Sequence, residues 1–127
     1  MTLVDSSGWI EFFTNGPLAS RFQRYLADES EVVTPTIVLY EVYKLIRRER
    51  SEEEAVRAAA AMQRTRVVAL TETIALTAAD LALEHGLAMA DAIVYATARM
   101  ENAHVVTSDE DFEGLAGVTL FGKKRRR

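Results

Sequence analysis

Two carboxylates stand where a carboxylate is hard to explain. Glu41 is the only acid in the apolar run TIVLYEVYKLI (36–46), and Asp91 is the only acid in GLAMADAIVYATA (86–98). A carboxylate in such surroundings is costly unless it is paired or bound to a cation. Two more, Asp5 and Asp109, follow the short apolar runs TLV and HVVT. Each of these is also a good helix N-cap, because a carboxylate accepts hydrogen bonds from the free N–H groups of a first turn. Capping therefore explains Asp5 and Asp109 singly as well as a site does, and it extends to Asp91 if a helix starts there. Glu41 lies too deep in its run to cap; its plain alternative is a reach to the rim or a pair with Lys44. Four carboxylates brought together would repel, and protonation or a cation must relieve them. An all-oxygen set suits Mg2+ or Mn2+, and such an ion activates water against a phosphodiester. His85 and His104 are isolated and suggest no zinc cluster. In VVTSDEDF (105–112), Asp109 is best placed for a pocket. Glu110 reads as a solvent-facing helix starter and Phe112 as core. Asp111 stays open between a second metal contact and a first-turn acid.

The elements that must position these groups alternate. Apolar β-type runs at 2–4, 31–34, 66–70, 104–107 and 118–121 read as strands. Helical spacing follows the first at SGWIEFF, and Asn15-Gly16-Pro17 interrupts it before Leu18, Phe22, Tyr25 and Leu26 recur. Pro35 suits the first turn of the next helix, TIVLYEVYKLIRRE. Ser51 with Glu54 is a capping-box pattern opening EEEAVRAAAAMQR. Gly86 stops the helix TETIALTAADLALEHG, and DAIVYATARMEN is the last long one. Strands separated by helices predict an α/β/α layer fold with a mostly parallel sheet of four to five strands. In such a sheet, ligands bind beyond the carboxyl ends of the strands, where Asp5 and Asp109 fall.

The chain has 127 residues, enough for a single domain, here 1–122, followed by a basic tail, KKRRR (123–127). Five of the fifteen basic residues sit in that tail, so the body sets ten against nineteen acids, a net of −9. The tail reads as a solvated end or as a contact for nucleic-acid phosphates. An acidic body argues against a broad nucleic-acid face. The absence of cysteine, of a signal-peptide pattern and of a long apolar span fits a cytoplasmic protein.

Four stretches, LVDSSGWIEFF, TPTIVLYEVYKLI, HGLAMADAIVYATA and AHVVTSDEDFEGL, in this order and each with its acid, resemble the PIN-domain ribonucleases. Within that family the likeness is to the VapC-type toxins of toxin–antitoxin pairs, and it covers the chain to about Gly122. The resemblance implies a PIN-like fold and a pocket in which Asp5, Glu41, Asp91 and Asp109 are catalytic. It implies that Asp5, Asp91 and Asp109 hold one or two Mg2+ (or Mn2+) ions while Glu41 orients or deprotonates the attacking water. It points to Ser6 and Thr107 as site-lining groups. It further implies RNA as substrate, an antitoxin segment lying in a helical groove at 36–64, and a homodimer. Lys44, Arg47 and Arg48, continuing from the Glu41 helix, are candidates for RNA contacts, and Arg21 and Arg24 for the rim. The plainer reading of all five is an ordinary solvated face. A receiver domain is disfavoured because VVALTET offers no aspartate after the third strand, and a D-x-D phosphatase because DSSG does not fit. A non-catalytic binding module of the same fold, and cleavage of DNA, remain as rivals.

Overall fold

In the computed structural model, residues 1–122 are described; the basic run at 123–127 lies outside them. Five strands are β1 (Thr2–Val4), β2 (Val32–Pro35), β3 (Arg66–Val68), β4 (His104–Thr107) and β5 (Val118–Leu120). The helices among the described residues are α1 (Ser6–Phe13), α2 (Ala19–Leu26), α3 (Thr36–Glu49), α4 (Glu52–Gln63), α5 (Glu72–His85) and α6 (Met89–Met100). The sheet runs β3-β2-β1-β4-β5 and every pairing is parallel. The expected α/β/α class holds, with all five strands present.

Strand order explains where a site must form. The chain steps from β1 to β2 to β3 in one direction, then crosses back to β4 and continues to β5. Right-handed crossovers put α1–α4 on one face and α5 and α6 on the other. β1 and β4 lie side by side, and their outgoing connections diverge. The crevice at such a reversal, beyond the carboxyl ends, is the standard ligand position in open parallel sheets. Leu3, Val4, Val32, Val33, Val105 and Val106 are fully buried along the three central strands. Burial on both faces is why these strands read as unbroken apolar runs.

Local signals mostly keep their places. The Ser51 hydroxyl accepts from the Glu54 N–H at 3.1 Å and caps α4, and Gly86 closes α5 at φ +69°. Pro35 differs: it ends β2 and precedes α3 in extended conformation rather than lying in its first turn. Gly8 has a structural reason. A Cβ there would lie 2.5 Å from Val4 Cγ1 and 2.7 Å from the Phe22 ring, so its absence lets α1 approach β1 and α2.

Candidate metal centre

Asp5 leaves β1 and opens α1, and it is only 3% exposed. Its Oδ1 accepts from the Ser7 hydroxyl at 2.6 Å and from the Gly8 N–H at 3.3 Å, and its Oδ2 accepts from the Thr107 hydroxyl at 2.8 Å. Asp5 is thus both the cap of α1 and part of the pocket floor; the two accounts open in the sequence are the same geometry. The floor is stitched further: Thr107 Oγ1 accepts from the Asp109 N–H at 2.9 Å, and Ser7 Oγ from the Ser108 N–H at 3.0 Å. Burial pushes the Asp5 carboxyl up to about 6. The three hydrogen bonds oppose that, and the Asp109 charge adds to it.

The other acids form a rim. Asp91 lies in the first turn of α6, but Ala88 is the residue at the cap position, so Asp91 is left facing the pocket charges. Asp109 caps a short 3-10 turn, Glu110–Phe112, by accepting from the Asp111 N–H at 2.9 Å. Phe112 is fully buried and anchors the turn, while Glu110 and Asp111 are exposed. The turn brings Asp111 back: one carboxylate oxygen each from Asp91, Asp109 and Asp111 lies within 4.8 Å of the others. Burial pushes Asp91 up to about 7, and the charges of Asp109, Asp111, Asp5 and Glu41 act in the same direction. Glu41, half-buried on α3, is raised mainly by burial, with the Asp109 charge adding; the Ser6 hydroxyl and the Lys44 charge hold it down. The four acids singled out in the sequence therefore meet in one pocket from four separate elements: the Asp109 charge reaches Asp5, Glu41 and Asp91, and Asp111 joins them at Asp91.

An all-carboxylate set at this spacing fits a hard divalent cation, which would relieve the repulsion now raising Asp91. Of the hydroxyls expected to line the site, Thr107 holds Asp5 and Ser6 serves Glu41. Sequence reasoning missed Ser7, which makes the shortest hydrogen bond to Asp5. Its signal is present in the chain: a serine two residues past an N-cap aspartate, in the free first turn, can bend back onto that carboxylate.

The candidate RNA contacts divide. Lys44 and Arg48 share a shallow depression of about 180 Å³ with Glu41 and Tyr40. Lys44 donates to the Tyr40 hydroxyl at 3.3 Å instead of pairing with Glu41. Arg48 pairs with Glu49 at 3.0 Å and Arg47 with Glu52 at 3.9 Å. The two histidines lie elsewhere, His104 against Thr119 and His85 edge-on to Tyr95. α3 and α4 pack as the expected hairpin, with Ala55, Ala58 and Met62 buried in it. A cleft of about 180 Å³ lies between its far end and α1, lined by Phe13, Ile46, Arg50 and Ala58 among others.

The protein-family profile described as the PIN domain matches residues 2–118. A search of the curated proteins finds no relative by sequence. Among solved structures, the chain is similar to a toxin–antitoxin complex from Klebsiella pneumoniae, at 24% identity and TM-score 0.83, covering 97% of this chain and 100% of that one. It is also similar to Mycobacterium tuberculosis VapC20, a sarcin–ricin loop cleaving toxin, at 23% identity and TM-score 0.79, with 93% and 97% covered. A third is the DNA-bound VapBC of Salmonella typhimurium, at 18% identity and TM-score 0.76, with 96% and 98% covered. At these identities the likeness establishes a common fold.

Proposed function

The chain belongs to the PIN domain family, and we propose that it is a Mg2+- or Mn2+-dependent endoribonuclease acting as the toxin of a toxin–antitoxin pair. The observation that carries this reading is the rim: carboxylate oxygens of Asp91, Asp109 and Asp111 lie within 4.8 Å of one another, on a fold shared with a sarcin–ricin loop cleaving toxin. A non-catalytic module has no need of such a concentration of mutually repelling charge.

Asp91, Asp109 and Asp111 would hold the cation, and Asp5 beneath them contributes a fourth charge from a hydrogen-bonded position. A divalent ion bound there supplies Lewis acidity toward the scissile phosphate and a more acidic water. Glu41 faces the pocket from α3, with its carboxyl raised by burial. A raised carboxylate is a better base, so Glu41 takes the proton of the attacking water. Asp5 keeps Thr107 in place, and Thr107 in turn holds the backbone of Asp109. The family resemblance implies products with a 5′-phosphate and a 3′-hydroxyl.

The partners follow the same reading. The cleft beside the α3–α4 hairpin is where an antitoxin segment would lie. The homodimer has an apolar surface available, because Leu76, Leu83 and Met89 are 70%, 87% and 74% exposed on α5 and α6. No helix among the described residues is long and apolar enough to cross a membrane. The proposed cleavage of RNA by a toxin places the activity in the cytoplasm. The test is co-expression with the neighbouring small open reading frame, joined to RNA cleavage by purified protein. Growth arrest without the neighbour, rescue with it, and relief by Asp5→Asn are expected. Undiminished cleavage by Asp5→Asn, or cleavage in the presence of chelator, would sink the assignment. A dimer mass in size-exclusion light scattering, reduced to a monomer by Leu83→Glu, tests the assembly.

A further inference from the structure

Of the chain's ten aromatic residues, nine are buried in the core or packed against it. Tyr40 is the exception, 58% exposed on α3. A single apolar side chain in water is ordinary; what sets Tyr40 apart is its place. It precedes Glu41, and both line the depression of about 180 Å³ that Lys44, Leu45 and Arg48 complete. From Tyr40 to Arg48 this face of α3 runs about 12 Å.

Lys44, one turn beyond Tyr40, supplies a cation to the same spot. Its ammonium donates to the Tyr40 hydroxyl at 3.3 Å and lies 5.2 Å from the ring centre. It therefore stands nearer the phenol end than the middle of the ring, and ring surface stays open to solvent. Among the described residues, six of the ten basic side chains are paired with carboxylates: Arg47, Arg48, Arg50, Arg57, Arg64 and Arg66, at 2.9–3.9 Å. Lys44 is in none of these pairs, and its charge reaches Glu41. In the depression, then, Arg48 is engaged by Glu49 while Lys44 is available to a phosphate.

An open ring and an available cation beside the carboxylate that takes the proton of water match the two ends of a nucleotide. Its base has an apolar face to stack and its phosphate carries the charge. On an acidic body, stacking also contributes affinity that does not depend on net charge. We propose that Tyr40 and Lys44 form a seat for one nucleotide of single-stranded RNA next to the scissile phosphate, with the base on the Tyr40 ring and the phosphate on Lys44. The inference rests on the ribonuclease reading and adds a positioning device to it: the seated base sets which phosphate meets Glu41. Every base offers a π-face, so the seat tolerates any sequence. A base inside a duplex is already stacked on both faces, so the seat selects loops and single strands.

The test reads binding apart from cleavage. Fluorescence anisotropy of a short single-stranded RNA would be measured at several salt concentrations, with Asp5→Asn as the non-cleaving parent. Tyr40→Ala is expected to weaken binding about 5- to 10-fold, the low end for one stacked base, and to leave the salt slope unchanged. Lys44→Ala should lower that slope by about 0.7, for one phosphate no longer neutralised. Tyr40→Trp keeps a stacking face and should keep affinity; Tyr40→Leu keeps apolar bulk and should not. RNAs with an abasic site at successive positions locate the base: at the seated position the parent and Tyr40→Ala should bind alike, and elsewhere their difference should persist. In the cleaving protein, Tyr40→Ala should raise KM and blur the choice of cleavage position, which loss of a merely structural ring would not do. Unchanged affinity in Tyr40→Ala, or a loss that no abasic position removes, would overturn the seat. So would intact RNA binding joined to weaker capture of the antitoxin, which would assign the ring to a protein interface. If the unmodified chain cleaves RNA and these variants match their parents, the seat fails and the ribonuclease reading stands. If the unmodified chain neither binds nor cleaves RNA with Mg2+ or Mn2+ present, that reading fails and the seat falls with it.

Discussion

The floor and the rim of the pocket hold carboxylates of the same kind in opposite ways. Asp5 on the floor is buried, and protein donors reach both its oxygens. Asp91 on the rim is half-exposed, and after burial its carboxyl is raised by four neighbouring charges. The floor is preorganised whether or not a cation is present. The rim is under repulsion until something positive arrives. We read this as a division of labour: the floor fixes shape, and the rim ligates.

The largest effect should come from the rim. Asp91→Asn is expected to reduce metal-dependent cleavage by more than the roughly 10–100-fold typical of groups that only orient ligands, with Asp5→Asn falling near that range. The two should also diverge in the absence of metal. At pH 7.5 with chelator, Asp91→Asn removes a repelled charge and should raise the melting temperature by several degrees. Asp5→Asn gives up charge-assisted hydrogen bonds as it removes the buried charge, and should change it little. Equal losses of cleavage and equal shifts in melting would erase the distinction between floor and rim.

A pH titration of stability gives the next effect. The carboxyls of Asp91 and Asp5 are raised from 3.8 to about 7 and about 6. Between about pH 4 and 7 the folded protein therefore binds more protons than the unfolded chain, and its stability falls as pH rises through that window. Metal-free protein should melt at lower temperature at pH 7.5 than at pH 5. Mn2+ should restore stability at pH 7.5 and do little at pH 5, where protons occupy the rim. Asp91→Asn should flatten the slope. A metal-free melting temperature that climbs steadily from pH 5 to 7.5 would contradict the repulsion described for the rim.

How much of this the sequence discloses depends on the kind of signal. The strands are legible because central parallel strands are buried on both faces and appear as apolar runs. Glu41 and Asp91 are legible because each interrupts such a run. What the residues leave open, they leave open for physical reasons. Asp5 and Asp109 read equally as caps, and in the structure they are caps, so no local pattern separates the two roles. Asp111 depends on a 3-10 turn that folds it back to Asp109, and turn type is weakly encoded in three consecutive acids. Ser7 is hard to tell from Ser6 because adjacent serines differ only in the direction a first helical turn sends them. Arg47 reads as free charge until the α3–α4 turn brings Glu52 to it, while Arg48 pairs with Glu49, its neighbour along the same helix.

The smallest effect tests the floor at that serine. The Ser7 hydroxyl donates to Asp5 and accepts from the Ser108 N–H. Ser7→Ala leaves one carboxylate oxygen with a weaker donor set and one part-buried N–H without its acceptor, costing about 1–2 kcal/mol of stability. Because that hydroxyl favours ionised Asp5, its loss should move the acid limb of the cleavage profile to higher pH, with modest loss at the optimum. Ser6→Ala removes a group that favours ionised Glu41 instead, so its stability should hold while its pH profile shifts. If Ser6→Ala destabilises the fold more than Ser7→Ala, the floor is not held by the Asp5–Ser7–Ser108 connection. The preorganisation assigned to Asp5 would then have to come from Thr107 alone.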